Sequence, residues 1–241
     1  LMSLYNDQGV VLRAWRLGEA DRIVVLLTAE HGKVRAVVKG VRKTRSKFGG
    51  RLELTSHVSV QMFEGRGDLG IVTQAESIDR FAALRTSAER FADASALLEV
   101  MDNLTLDGVP DRRRYDMLVG ALRTLDEQPS ALLVPAFFLK LLAHEGLAPQ
   151  LDACVRCEGS GPLVALDLHQ GGAVCEKCRR GKKVSSSALA VMRAVLGGAL
   201  STALAVDDAQ VCAEVDALAT DCVEFHLDRR LRSRRSLDAD I

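Results

Sequence analysis

The chain is predicted to be an α+β protein, with a small N-terminal β-barrel followed by a helical region into which a metal-binding module is set. Three observations predict this. Short β-branched or apolar runs recur through the first eighty residues. The apolar period then changes to the helical one from about Thr86. Two Cys-x-x-Cys pairs stand late in the chain. At 241 residues the polypeptide is long enough to bury a large core and to divide into more than one domain.

The barrel comes first. Val10–Leu12, Ile23–Thr28, Val34–Lys39, Val58–Phe63 and Ile71–Ala75 read as strands. Turn signals separate them at Leu17-Gly18, His31-Gly32, Gly49-Gly50 and Gly65-Arg66-Gly67-Asp68. Five short strands fit a small Greek-key barrel. The oligonucleotide/oligosaccharide-binding barrel (OB-fold) has that strand count, and so does an SH3-like barrel.

Helices follow. Thr86-x-x-Glu89 has the pattern of a capping box and opens a run through Phe91, Ala94, Leu98 and Met101. Pro110-Asp111 starts a second, carrying Tyr115, Leu118, Leu122 and Leu125. A third is expected to begin at Ser130, to kink or restart near Pro135, and to stop at Gly146. Ser185-Ser186-Ser187 caps a helix that ends at Gly197-Gly198, and a last helix runs from Asp207-Asp208 to about Leu231. On that last helix Val211, Val215, Leu218, Cys222 and Phe225 form one face, so Cys222, and Cys212 beside it, read as core residues.

Cys154-x-x-Cys157 and Cys175-x-x-Cys178, seventeen residues apart, carry the most specific chemistry. Each knuckle lets two thiolates hold an ion from one side, and a short hairpin through Leu163–Leu168 and Gly172–Val174 brings the pairs together. Four protein sulfurs leave no position for water or substrate, so the expected ion is one structural zinc. Tetrahedral sulfur suits mononuclear iron equally, and two disulfides are the remaining alternative.

The net charge is zero, but it is segregated. No acid lies between His31 and Leu52, where Lys33, Arg35, Lys39, Arg42, Lys43, Arg45, Lys47 and Arg51 are all basic. This stretch is the expected DNA contact, with Lys33, Arg35 and Val37 on one strand face. Neutralising about five phosphates would give a log–log salt slope of roughly −4 to −5 on duplex. Of the aromatics Tyr5, Trp15, Phe48 and Phe63, Phe48 is expected to be the exposed stacking platform. Arg179, Arg180, Lys182 and Lys183 form a candidate secondary contact, and Arg232, Arg234 and Arg235 read either as cations suited to a helix end or as a basic rim for an acidic peptide.

Catalytic patterns do not assemble. His144-Glu145 lacks both the spacing of a zinc deaminase and the second histidine of a metalloprotease. Gly65-Arg66-Gly67-Asp68-Leu69-Gly70 lies between strands and opens no helix, so it reads as a hairpin turn. The longest apolar run, Ala131 to Leu139, is far shorter than the ~20 residues that span a bilayer. A cytoplasmic protein with reduced thiols is expected.

In order and spacing, the chain resembles the RecO family of bacterial recombination mediators. The resemblance rests on Gly9–Leu12, Gly18–Arg22, Leu27-Thr28, Gly32, Lys39–Lys43 and Ser46. It continues in Phe138–Leu142, Glu145–Pro149, Cys154–Cys157, Gly171–Cys175 and Arg232–Leu237. It implies an OB-fold at 1–80 and a helical domain at 81–241, with the zinc module at 152–184 inserted. It further implies a non-enzymatic protein of the bacterial nucleoid that binds single- and double-stranded DNA and anneals complementary strands. Such a protein helps replace single-strand-binding protein with RecA, with RecR and the C-terminal tail of single-strand-binding protein as partners. The alternative from the residues alone is an RNA-binding OB and zinc-ribbon protein of translation or ribosome assembly.

Overall fold

The computed structural model describes residues 3–42, 46, 48, 50–64, 69–159 and 161–234. The chain divides into two compact units. The first holds residues 1–128 and 232–241, the second Pro129–Leu231.

In the first unit all five predicted strands form, as β1 (Leu4–Leu17), β2 (Asp21–Thr28), β3 (Gly32–Val38), β4 (His57–Phe63) and β5 (Gly70–Asp79). They close into a barrel in the order β1-β2-β3-β5-β4. The sole parallel pairing among them joins β3 to β5, Ala36 to Gly70 and Val37 to Ile71. β1 pairs with both β2 and β4, and a register shift between Val11 and Arg13 lets this long strand bend from one to the other. Alternation puts Val24, Leu26, Ala36, Val38, Val58, Val60 and Met62 inside.

The β3–β4 connection plugs the barrel with Val41, Phe48 and Leu52. This corrects the expectation for Phe48, which is 2% exposed and serves as core. Gly32 has φ +68 and lies against the main chain of Val109, so a side chain there would meet backbone.

After the barrel this unit carries α1 (Ala82–Thr86), α2 (Ala88–Leu104) and α3 (Arg112–Glu127). The capping residue of α2 is Ser87, which accepts from the Arg90 N–H; Thr86 is instead the last residue of α1. Asp111 caps α3 as predicted. The end of the chain returns to α2. Glu99 accepts from the N–H groups of Arg232 and Ser233 at 2.9 and 2.8 Å, and Arg234 lies 3.5 Å from Asp93.

The second unit is built on α4 (Leu133–His144), apolar on nearly every side and packed against α5 (Ser186–Leu196) and α7 (Ala209–Leu227). Pro135 falls in the first turn of α4, where no N–H is needed, so the helix neither kinks nor restarts there. Gly146 ends the helix region at φ +75. Between α4 and α5 lies a three-stranded sheet of β6 (Leu163–Asp167), β7 (Gly172–Cys175) and β8 (Lys182–Lys183), in the order β7-β6-β8. A short α6 (Leu200–Leu204) precedes α7. Cys212 and Cys222 are buried core, as predicted, and burial beside Asp221 pushes the Cys222 thiol up to about 12. Among the described residues no helix is long and apolar enough to cross a membrane.

Candidate metal centre and nucleic-acid surface

The four cysteines meet. The first knuckle is a tight turn in which the Glu158 N–H donates to the Cys154 carbonyl at 2.8 Å. It is strapped to β7 by Val155 N–H to Ala173 O at 3.0 Å, with Ala173 N–H to Gln150 O at 2.8 Å alongside. The second knuckle begins where β7 ends and turns through Glu176–Cys178. All four Sγ atoms lie within 4.8 Å of one another, and Cys157 and Cys175 are 3.7 Å apart. A tetrahedron with metal–sulfur bonds of about 2.3 Å has edges of about 3.8 Å. A disulfide would need about 2.05 Å, and the cysteines are free, which removes the disulfide alternative.

The electrostatics fit a cation. Backbone N–H groups, that of Cys175 foremost, outweigh burial and hold the Cys154 thiol at about 6. The Cys178 thiol, hydrogen-bonded to Cys157 and crowded by burial and the other sulfurs, is pushed up to about 12. Four sulfurs this close resist ionising together unless a positive ion sits among them. The donor set therefore fits a resident metal ion, held at all four positions by protein.

Among the described residues the cationic stretch of the barrel does not form one surface. β2 and β3 turn at Thr28–Gly32, so residues 32–35 stand at that end of the barrel and residues 38–42 at the other. Lys33 is 8% exposed, contrary to the expectation of an open cation. Its ammonium donates to the Asp102 carbonyl at 2.7 Å and lies 3.4 Å from the Asp102 and 3.2 Å from the Asp107 carboxylate. Arg35 pairs with Asp107 at 2.9 Å. These acids come from the end of α2 and the loop after it, about seventy residues downstream, and they neutralise that end.

The opposite end, with the β1–β2 turn, the end of β3, the start of β4 and the end of β5, carries Lys39, Arg42 and Arg51. Lys39 is exposed. Arg42 donates to the Glu19 carbonyl at 2.9 Å and Arg51 to the Phe48 carbonyl at 3.1 Å. Lys43, Arg45 and Lys47 lie outside the described residues.

Arg80 and Arg85, outside the basic stretch, are exposed at this same end. Trp15 of β1 is 40% exposed, with the Arg13 guanidinium, itself paired with Asp102 at 3.2 Å, 5.4 Å from its ring centroid. It offers the stacking face expected of Phe48.

The lesser candidates are mixed. Arg179, Arg180 and Lys183 are exposed, whereas Lys182 pairs with Asp221 at 2.6 Å. Arg232 is exposed, and Arg234 is turned toward Asp93. Arg235 lies outside the described residues.

A buried polar relay ties the barrel to α3. His57 Nδ1 is 2.7 Å from Asp79, and its Nε2 is 2.7 Å from the Tyr115 hydroxyl. Arg123 donates to the same Asp79 oxygen at 2.8 Å. Burial pushes the Tyr115 hydroxyl up to about 12, so it stays protonated and donates to Nε2. Burial also lowers His57, outweighing the pull of Asp79. At Asp79, burial works upward, but hydrogen bonds from His57 and Arg123 outweigh it and hold the carboxyl below its ordinary range.

Comparison with known proteins agrees with this architecture. The family model described as "Recombination protein O N terminal" matches residues 2–81, and "Recombination protein O C terminal" matches 85–235. A protein named DNA repair protein RecO from Streptomyces avermitilis is 43% identical over 249 residues, spanning 98% of this chain and 100% of that protein. The Streptomyces coelicolor protein of that name shows the same identity and coverage. One from Frankia casuarinae is 42% identical over 238 residues, 96% of this chain and 97% of its own. With both halves matched and relatives aligned from end to end, the chain belongs to the RecO family.

Proposed function

We propose that this chain is a non-enzymatic DNA-binding protein of recombinational repair. It anneals complementary strands and helps replace single-strand-binding protein with RecA on single-stranded DNA, acting with RecR. The observation that carries the reading is the match of both RecO family models over nearly the whole chain, joined to a closed five-stranded barrel.

The chemistry of the barrel supports it. Lys39, Arg42 and Arg51 stand at one end, which suits contact with phosphates, and Trp15, exposed on β1, suits stacking of unpaired bases. Lys33 and Arg35 leave the contact set because Asp102 and Asp107 already balance them. The acidic tail of single-strand-binding protein is the proposed partner of Arg232, Arg234 and Arg235, and Arg232 is exposed.

The ion is proposed to be one zinc with a supporting role. Held by Cys154, Cys157, Cys175 and Cys178, it would brace the sheet of the second unit, and a closed sulfur set leaves it no position for a reactant. The deciding experiment is annealing of complementary strands coated with single-strand-binding protein, beside competition by duplex DNA, single-stranded DNA and structured RNA. Accelerated annealing with DNA preferred is the expected result. Preference for structured RNA, or no acceleration, overturns the reading.

A further inference from the structure

A cleft of about 520 Å³ opens at the cationic end of the barrel, between Phe48, Gly50, Arg51 and Ser56 on one side and the connection from β5 into α1 on the other. Its size falls in the range of ligand-binding pockets. Arg51, Arg80 and Arg85 reach it from three separate segments, and the Ser56 and Ser77 hydroxyls line it. Arg85 donates to Ser56 Oγ at 2.7 Å, which fixes its guanidinium at the cleft wall.

One carboxylate lines the cleft, that of Asp79, and it is held by Arg123 and His57. The cleft therefore carries excess positive charge and hydrogen-bond donors, the combination that recognises phosphate. The backbone on both sides is under strain. Thr55 and Phe81 have φ of +71 and +44, and each immediately precedes a residue of the cleft wall. A buried β-branched residue in the left-handed region is the kind of local cost that persists where a site needs a particular shape.

We propose that this cleft is a phosphate subsite, formed by Arg51, Arg80 and Arg85, that receives the backbone of a nucleic-acid strand. The inference rests on the DNA-binding reading for its occupant and extends the contact surface to two arginines outside the basic stretch.

The test uses the full chain with Arg80→Gln and Arg85→Gln combined. Binding of a labelled oligonucleotide is measured across salt, and pyrophosphate binding by calorimetry. Losing two phosphate contacts should make the log–log salt slope shallower by about 1.4 on single strands and about 1.8 on duplex. Pyrophosphate binding should weaken about tenfold or more. Arg80→Lys with Arg85→Lys, which keeps both charges, should retain most of the slope. If the double glutamine variant unfolds, Arg80→Gln alone, at an exposed position, carries the test with half the slope change.

Unchanged slopes in a folded variant of a DNA-binding parent overturn the subsite and leave the repair function standing. A parent that binds pyrophosphate through these arginines but binds no DNA overturns the strand as occupant, and the repair reading with it.

Discussion

Lys33 separates the two accounts of this surface most sharply. As an open cation it would grip phosphate; in the structure it holds the protein together. Its ammonium donates to the Asp102 carbonyl at 2.7 Å and sits within 3.4 Å of two carboxylates. Truncation to Ala leaves that carbonyl and a carboxylate that is 13% exposed without this partner. A hydrogen bond from a charged donor contributes about 1.5–3 kcal/mol. The Asp107 pairing adds little, because that carboxylate is 47% exposed and screened. Asp102 keeps Arg13 at 3.2 Å, which limits the penalty of leaving it buried. The expected loss is about 2 kcal/mol, or a fall in Tm of about 4–8 °C for a chain of this size. The DNA salt slope should not move. Arg42→Ala should do the reverse, flattening the duplex slope by about 0.9 with little change in melting. Scanning calorimetry and fluorescence anisotropy across salt read both quantities. A Lys33→Ala protein that melts like its parent but binds DNA with a slope shallower by one unit would refute the ion-pair assignment.

Cys175→Ser should reduce bound metal, read by elemental analysis, and lower Tm while annealing falls only partly; a folded variant that retains its metal but no longer anneals would contradict the supporting role of the ion. Trp15→Ala should weaken single-strand binding by about 1–3 kcal/mol and leave duplex binding nearly unchanged, because only unpaired bases stack on it; equal loss on both substrates would assign Trp15 to the fold. Stability should fall on acidification. His57 titrates below its ordinary 6.5 when folded, so the unfolded chain binds the proton first, and stability is full above 6.5 and declines beneath it. Asp79, held below 3.8, adds a second loss as the pH falls through its own range. In Tyr115→Phe, which removes the hydroxyl that donates to Nε2, stability at neutral pH should drop by about 1–2 kcal/mol, checked by urea unfolding at several pH values.

What was legible in the sequence was local. Strands announce themselves by runs of Val, Ile and Leu between turns; all five formed, four of them within four residues of their expected bounds, while β1 extends from Leu4 to Leu17, well beyond the expected Val10–Leu12. The metal site was legible because two knuckles and a hairpin need only nearby chain. The misplaced cap of α2 is a near-degeneracy: Thr86 and Ser87 are adjacent hydroxyls, and what decides between them is α1, which ends at Thr86. With five residues each, α1 and α6 are too short to show a helical period. Phe48 misled because its neighbours are Lys47 and Gly49. Its burial is set by the open end of the barrel, which the β3–β4 connection must fill, and no feature of residues 47–49 reports that.

Charge was the least legible property, and strand direction explains why. A strand of seven residues runs roughly 23 Å, so residues at its two ends face different surroundings. The acid-free stretch from Lys33 to Arg51 enters β3 at one end of the barrel and leaves at the other. At the entry, Asp102 and Asp107 arrive from the far end of α2 and cancel Lys33 and Arg35. At the exit, Arg80 and Arg85 arrive from the end of β5 and from α1, well beyond the basic stretch. The positive surface is thus assembled from the basic stretch and from arginines outside it. Its extent is set by which connections return to the same end of the barrel. A substitution series that follows barrel ends should therefore sort the arginines and lysines into DNA contacts and structural ion pairs, whereas one that follows sequence order from Lys33 to Arg51 would mix the two.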